Sequence, residues 1–304
     1  MSWIFGAIAV GLLVGIASGL LGIGGGTIMV PAFRLIFGLS PLEATATSLF
    51  TIIPTSLSGA WKHTKNRTCV VKLGLAAGLA GACMSPIGVW VADHVSGWVV
   101  MAAAAAVIIY SAVSMLRGVV KKNNAEDATP ATASVTSQGT DKAAVQWTDQ
   151  AVVQVDGGIS KDSPKDKSSG PFALIYRGKR RSAYLFGALV GLVAGFLGGF
   201  VGVGGGFIMI PLFVSVLGLP MSKASGTSLI AVLLIAIPAT IEQALLGHIR
   251  YGFGLAFAIG SIPGAVIGAS LVKRAPERVL KIIFSVFLVC VAIMLVVNEL
   301  GVMG

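Results

Sequence analysis

The sequence GIGGGTIMVP at residues 22–31 returns as GVGGGFIMIP at residues 202–211. At this offset residues 22–49 align with residues 202–229 without a gap, and fourteen of the 28 positions are identical. Self-similarity at a fixed offset indicates two copies of one structural unit. Three consecutive glycines followed by a proline interrupt a helix and hinder its continuation. The repeat therefore predicts two homologous halves, each broken at the same place.

The composition indicates a membrane protein. Of the 304 residues, 55% are hydrophobic and 11% are charged, and the mean hydropathy is +0.90. Soluble domains carry about 25% charged residues. The net charge of +10 does not indicate nucleic-acid binding, because residues 117–181 alone hold 11 of the 22 basic and 7 of the 12 acidic residues. We expect the lipid bilayer to be a partner of this chain and nucleic acid not to be one.

Eight apolar runs are long enough to cross a bilayer, which takes about 20 helical residues. They cover residues 3–23, 44–61, 73–92, 98–116, 183–203, 224–246, 253–272 and 279–297. Backbone amides in hydrocarbon must be bonded internally, and the runs do not alternate as strands would, so each is predicted to be a helix. The predicted fold is all-α: a polytopic membrane protein with eight full-length helical spans and two short broken-helix segments, at 27–37 and 207–217.

Three regions follow from these spans. Residues 1–117 form the first transmembrane repeat, residues 118–182 a polar cytoplasmic linker, and residues 183–304 the second transmembrane repeat. The linker lacks the apolar density that a packed core needs. Residues 1–22 resemble the apolar region of a signal peptide, but their counterpart in the repeat lies in the middle of the chain, so we expect a membrane helix there.

Two topologies fit the spans. Lys and Arg concentrate in cytoplasmic loops, which places both linker ends and the basic loop 62–72 on the cytoplasmic side. With eight crossings the repeats are parallel, and the basic loop KRAPERVLK at 273–281 falls outside. If the two short segments also cross, each half has five crossings, the repeats are inverted, and this loop moves inside. We favour the inverted arrangement.

The glycine breaks are the first candidate for a binding site. Broken helices at corresponding positions of two repeats indicate a transporter's binding site, and a helix that starts after a break points free N–H groups at an anion. The alternative is a tight turn that lets helices pack. The predicted substrate-binding glycines are Gly24, Gly25, Gly26, Gly204, Gly205 and Gly206.

A pair of hydroxyls follows each break and is the second candidate. The segment ATATSL at 44–49 returns as ASGTSL at 224–229. Hydroxyls can donate hydrogen bonds to an oxyanion without adding charge. They can equally bond between helices or to their own helix. The predicted substrate-binding hydroxyls are those of Thr47, Ser48, Thr227 and Ser228.

Few ionisable groups lie within the apolar runs. Glu242 is a possible coupling residue, since an ionisable group at membrane depth is a functional candidate; the alternative is a place at the interface beside His248 and Arg250. Glu43 and Lys223 share a repeat position but would lie on opposite faces, so no ion pair between them is predicted. His63 is expected to be solvated in the basic loop.

Nothing in the sequence indicates an enzyme. Walker motifs and a nucleophile elbow are missing from it, and its three histidines fall near predicted span ends. Cys69, Cys83 and Cys290 have no disulfide or metal-ligand spacing. We therefore expect no catalytic residue, no metal and no cofactor. Glycines spaced by four in the first span of each half are predicted to be packing residues.

The two glycine motifs, the Thr-Ser segments after them and the duplicated eight-span plan resemble the TauE/SafE family of sulfite exporters, also called the toluene-sulfonate uptake permease family. The resemblance covers the whole chain except the linker, which is longer than expected. It implies secondary transport of sulfite, organosulfonates or related small anions without nucleotide hydrolysis. It also implies a multi-pass protein of the cell (inner or plasma) membrane.

Three hypotheses of function follow. The leading one is a secondary transporter that exports a small sulfur-containing anion, by alternating access at a site between the two repeats. The second is a passive anion channel with the same lining. The third, a membrane-embedded enzyme, is disfavoured because no cluster of His, Cys or carboxylates lies within the apolar runs. The exact substrate, the transport direction, the coupling ion and the oligomeric state are left open.

Overall fold

The computed structural model describes residues 2–103, 105–110, 113 and 180–272, together with scattered positions between 274 and 293. Within those residues the chain is helical, with turns and bends between helices and no strand. The all-α prediction is therefore confirmed for the described part. The predicted linker lies outside the described residues as far as residue 179. Its last three residues already belong to a helix, which begins at Arg180.

Nine helices are labelled here in chain order. They are α1 Ser2–Leu21, α2 Gly26–Leu35, α3 Pro41–Lys65, α4 Val71–Asp93, α5 Gly97–Tyr110, α6 Arg180–Val201, α7 Gly206–Ser215, α8 Met221–Leu245 and α9 Tyr251–Leu271. Residue 104 of α5 is not among the described residues. Further helical residues occur at 279–280, 282–286 and 288–290.

Five of these helices are long and apolar enough to cross a membrane. The segments that meet both conditions are Ile4–Leu21, Val71–Asp93, Tyr184–Val201, Met221–Leu245 and Tyr251–Leu271. Helix α3 has 25 residues but also many Thr and Ser side chains, which lower its hydropathy. The predicted spans 98–116 and 279–297 lie partly outside the described residues. The chain is thus a polytopic membrane protein, and the count of eight spans stays a prediction.

Each half packs its first helix against the other half through a stripe of glycines. On α1, Gly11, Gly15 and Gly19 face the backbone of α9; a Cβ built on any of them would lie 2.1–2.4 Å from a carbonyl oxygen. On α6, the counterparts Gly191, Gly195 and Gly199 face the backbone of α4, where the corresponding distances are 2.0–2.1 Å. Small residues at this spacing let two helix backbones approach closely. The two contacts hold the halves together.

Helices α1 and α3 run in the same direction as α9. Successive glycines of α1 meet Phe257 and Ala265 in that order. On α3, the Thr55 hydroxyl lies 2.5 Å from that of Ser261, and the Asn66 amide donates to the Ala269 carbonyl at 3.2 Å. Since later residues of α3 meet later residues of α9, these two helices are parallel as well.

Helix α2 lies between α1 and α3 in sequence and runs the opposite way. The Phe33 ring packs on Phe257 with centroids 4.8 Å apart, and Phe37, after the end of α2, packs on Phe253 at 5.4 Å. The chain therefore moves backwards along α9 as it moves forwards through α2. A reversal is needed here, because α1 and α3 could not otherwise share a direction.

The long helices of the second half point in the opposite direction to their counterparts in the first half. Helices α6 and α8 run parallel to α4, since Gly74 and Gly78 of α4 face Thr227 and Ala231 of α8 in the same order. Helix α8 is antiparallel to α3, because Gly59, late in α3, faces Leu229, which is early in α8. Long helices at corresponding repeat positions therefore point in opposite directions. These are the directions that an inverted pair of repeats requires.

The glycine stripe on α1 can be tested within one helix. Gly15→Ala places a methyl group 2.3 Å from the Ser261 carbonyl oxygen, so α1 must move away from α9. We expect a cost of about 1–3 kcal/mol, typical of overpacking, and a lower Tm in detergent. Gly6→Ala is the matched control, since nothing lies within 4 Å of the added carbon. Equal Tm values for the two variants would contradict the packing described above.

Candidate functional site

Both predicted breaks occur, and glycines in the left-handed region form them. Helix α1 ends at Leu21 and α2 begins at Gly26, and in the second half α6 ends at Val201 and α7 begins at Gly206. The φ angles are +79°, +75° and +86° at Gly22, Gly24 and Gly25, and +75°, +75° and +74° at Gly202, Gly204 and Gly205. Glycine adopts these angles readily, whereas L-residues with a Cβ do so at a cost.

The two breaks meet in the interior. Gly24 and Gly204 both lie against the side chains of Ile52 and Val232, which are themselves counterparts in the repeat. Gly26 faces the backbone of Val203, and Gly206 faces the backbone of Ile23. All six predicted site glycines are buried. The structure thus brings the two predicted halves of the site into direct backbone contact.

Each short helix after a break begins without a side-chain cap. In α2 the N–H groups of Ile28 and Met29 bond to the Gly25 carbonyl, at 3.0 and 2.9 Å. The N–H groups of Gly26 and Thr27 precede these bonds, in the part of a helix that has no intrahelical acceptor. The beginning of a helix also carries partial positive charge. The start of α2 can therefore attract and bind an anion.

The Ser-Thr pairs lie beside the breaks, and their hydroxyls bond across the halves. Ser48 donates to the carbonyl of Gly202, and Ser228 donates to the carbonyl of Gly22 at 2.6 Å. Because these carbonyls belong to broken helices, the serines satisfy acceptors that would otherwise be buried without a partner.

The two threonines act in the same symmetric way. Thr47 accepts from the Arg250 N–H at 3.0 Å, and Thr227 accepts from the Val70 N–H at 2.9 Å. Thr47 thus bonds the residue that precedes α9, and Thr227 bonds the residue that precedes α4, each in the other half of the chain. Three of the four hydroxyls also bond carbonyls of their own helices: Ser48 that of Thr45 at 2.9 Å, Ser228 that of Ser225 at 2.8 Å and Thr227 that of Lys223 at 2.7 Å. The contacts therefore show both structural roles that the sequence left open. Direct contact of Thr47, Ser48, Thr227 or Ser228 with a substrate stays a prediction.

Three further hydroxyls lie at the first break and were not predicted from the sequence. Ser18, Thr27 and Ser56 are fully buried, and their hydroxyls have no hydrogen-bond partner. A Cβ built on Gly24 would lie 3.2 Å from the Ser56 Oγ, and one on Gly25 would lie 3.5 Å from the Ser18 Oγ. The repeat comparison selects identical positions, whereas these three differ between the halves. A search for polar residues that differ between the two halves would have identified these three hydroxyls.

Charged groups gather away from the breaks, at the end of the molecule where α3 begins and α8 ends. Glu43 caps α3 together with Ser40 and pairs with Arg250 at 2.6 Å, so its partner is not the Lys223 of the same repeat position. His248 bonds the Gln243 amide oxygen at 2.9 Å and lies 3.8 Å from Asp93.

Glu242 lies in the last turn of α8, beside this charged group. Its Oε2 atom is buried and has no hydrogen-bond partner. Ten helical residues, about 15 Å, separate it from Val232 at the breaks. A coupling role for Glu242 stays a prediction, and such a role would be exerted at a distance from the glycines. Among the described residues, no three His, Cys, Asp or Glu side chains are placed to hold a metal ion.

The prediction for His63 was wrong. Its side chain is fully buried, with Nε2 2.9 Å from the Gly19 carbonyl oxygen and Nδ1 2.8 Å from the Thr68 hydroxyl. Helix α3 continues to Lys65, beyond the apolar run that marked its predicted end. The imidazole fits because Gly226 of α8 lies directly beside it. His63 therefore fixes the end of α1, three residues before the first break.

Comparison with known proteins places the chain in a family. The family model described as "Sulfite exporter TauE/SafE" matches residues 7–295. The chain is 24% identical to "Probable membrane transporter protein YunE" of Bacillus subtilis over 301 residues, which cover 95% of this chain and 96% of that protein. It is 25% identical to "Probable membrane transporter protein YdhB" of the same organism over 276 residues, or 90% and 92% of the two chains.

A plant relative is also similar. "Sulfite exporter TauE/SafE family protein 3" of Arabidopsis thaliana is 29% identical over 133 residues, which cover 42% of this chain and 28% of that protein. No solved structure matches the chain. The chain belongs to the TauE/SafE sulfite exporter family and is a multi-pass membrane transporter.

The cross-half hydrogen bonds predict a stability effect. Ser228→Ala leaves the buried Gly22 carbonyl without its donor, and we expect a loss of about 1–3 kcal/mol, the cost of an unsatisfied buried polar group. Thermal unfolding in detergent measures it as a lower Tm. The control is Ser270→Ala, whose hydroxyl bonds the Val266 carbonyl of its own helix at 2.7 Å. A Tm for Ser228→Ala equal to that of the control would show that this bond does not hold the halves together.

Proposed function

We propose, from its membership of the TauE/SafE sulfite exporter family, that this protein is a secondary transporter that exports a small sulfur-containing anion, such as sulfite or an organosulfonate. The substrate binds where the two glycine breaks meet, and access to it alternates between the two sides of the membrane. The observation that carries the proposal is the burial of two broken helices, one from each half, in contact with each other. The family description and the Arabidopsis relative's name support sulfite export.

Physical chemistry supports an anion at this place. Irregular backbone at membrane depth is tolerated only inside protein or beside a water-filled cavity. The helix starts at Gly26 and Gly206 offer N–H donors and partial positive charge without a fixed cation. Neutral donors suit a carrier, because an ion held by a buried full charge would be slow to leave.

The backbone at the first break is tightly packed, which supports alternation rather than an open pore. A single methyl group on Gly24 would lie 2.6 Å from the Val232 side chain. The Val232 side chain must therefore move before a substrate can lie against Gly24, and in the proposed cycle it moves when helices of the two halves separate. Two halves of opposite direction can exchange conformations, so that the opening forms on one side and then on the other.

Counterflow in proteoliposomes tests the proposal. Purified protein is reconstituted, loaded with unlabelled sulfite and supplied with radiolabelled sulfite outside. Sulfoacetate, taurine and thiosulfate serve as competitors, and phosphate as the control. We expect saturable exchange of sulfite that a sulfur anion inhibits and phosphate does not. Unitary currents in a planar bilayer would identify the channel instead, and no exchange of any sulfur anion would refute the proposed substrate class.

A substitution at the first break gives a second prediction. Gly25→Val puts a branched side chain at φ +86°, against the Met29 side chain and Ser18. We expect counterflow to fall at least about tenfold, equivalent to ~1.4 kcal/mol. Gly38→Val is the matched control: Gly38 also has positive φ, at +65°, but nothing lies within 4 Å of an added Cβ. Size-exclusion profiles of both variants check that each is folded. Equal flux in the two variants would show that the first break is not part of the substrate-binding site.

A further inference from the structure

The two glycine breaks are alike in backbone but not in their polar side chains. At the first break, Ser18, Thr27 and Ser56 contribute hydroxyls. The residues at the corresponding positions of the second half are Gly198, Phe207 and Ala236. None of these three has a side-chain hydrogen-bond donor. The pseudo-symmetry of the fold therefore does not extend to the chemistry at its centre.

The hydroxyls at the first break are fully buried and unpartnered. Ser56 Oγ and Ser18 Oγ approach the Cβ positions of Gly24 and Gly25 to 3.2 and 3.5 Å. Thr27 is the second residue of α2, in the turn whose N–H groups lack an intrahelical acceptor. Buried polar groups in proteins are nearly always paired, and each unpaired one needs an explanation. Three of them around one helix start are explained by a ligand that binds there.

The second break is lined differently. The atoms nearest to Cβ positions on Gly204 and Gly205 belong to Val232, Ile52 and Ala194, and none of them is a hydroxyl. Thr45 lies beside Gly202, at the beginning of this break, and its methyl Cγ2 is the atom nearest to that glycine. The Thr45 hydroxyl is also buried and has no hydrogen-bond partner. The second break therefore has the backbone form of an anion site but one unpartnered hydroxyl, where the first break has three.

We propose that the transporter has one anion site rather than two, formed at the first break by the hydroxyls of Ser18, Thr27 and Ser56 with the N–H groups of Gly26 and Thr27. This inference rests on the proposed function. The group recognised is the SO₃ group that sulfite and sulfonates share, whose three oxygens match the three hydroxyls in number. Ile52 of α3, Val232 of α8 and the backbone of the second break form the opposing wall.

Binding to the purified full-length protein tests the single site. Titration calorimetry in detergent uses sulfite and methanesulfonate, which share the SO₃ group, with phosphate as the control. The test variant is the triple Ser18→Ala, Thr27→Val and Ser56→Ala. We expect its Kd for both sulfur anions to rise at least about tenfold, because the hydroxyl donors are gone. Its Tm is expected to equal or exceed that of the wild type, since no partner loses a bond.

A matched triple variant controls for the loss of hydroxyls. Ser215→Ala, Thr64→Val and Ser270→Ala remove two serine hydroxyls and one threonine hydroxyl that bond carbonyls of their own helices. We expect its Kd to be unchanged. Ala236→Ser, which adds a hydroxyl at the second break, is expected to leave the stoichiometry at one anion per chain.

The outcomes separate the two proposals. If the wild type binds sulfite but the test variant binds it equally tightly, the single site is refuted while sulfur-anion transport stands. A stoichiometry of two anions per chain in the wild type has the same meaning. If the wild type neither binds nor exchanges any sulfur anion, the proposed function fails and the site fails with it.

Discussion

The structure depends on one constraint: backbone polar groups in a membrane interior must find partners within the protein. Two helices are broken by glycines at the centre, and each break leaves carbonyls and N–H groups to be satisfied. Ser48 and Ser228 donate to the carbonyls at Gly202 and Gly22, each reaching across to the other half. Each half therefore depends on the other to bond one carbonyl of its break. The glycine stripes of α1 and α6 follow from this, because they bring the halves close enough for the bonds to form.

The described part of the fold could be predicted well from the sequence because membrane helices need only length and apolarity. The prediction is weakest for α3, where hydroxyls lower the hydropathy of a helix whose polar face is buried against α9. His63 shows the same limit. Its residue type and basic neighbours predict exposure, yet Gly226, distant in sequence, leaves the space for the imidazole, and the Gly19 carbonyl is its hydrogen-bond partner. Tertiary neighbours of this kind leave no local pattern.

The candidate site was predictable to the extent that it is repeated. The six glycines were found because both halves carry them, and the structure brings them together. The Thr-Ser pairs were found for the same reason, but their partners, such as Arg250 for Thr47, are 154–206 residues away and cannot be read from the pattern. Ser18, Thr27 and Ser56 were missed because the second half lacks them. Repetition thus identifies the scaffold of the site, and divergence between the copies identifies its chemistry.

The stripe on α1 has a consequence for biogenesis. Its glycines face Phe257, Ser261 and Ala265, which the ribosome reaches 246 residues after the glycines that they cover. Helix α1 therefore enters the bilayer long before α9 has been synthesised. Until then the glycine face of α1 is exposed to lipid or to another protein. In the same way, the face of α4 that packs on α6 is exposed until α6 has been synthesised. Folding of this protein is consequently a late event, in which two inserted sets of helices recognise each other within the membrane.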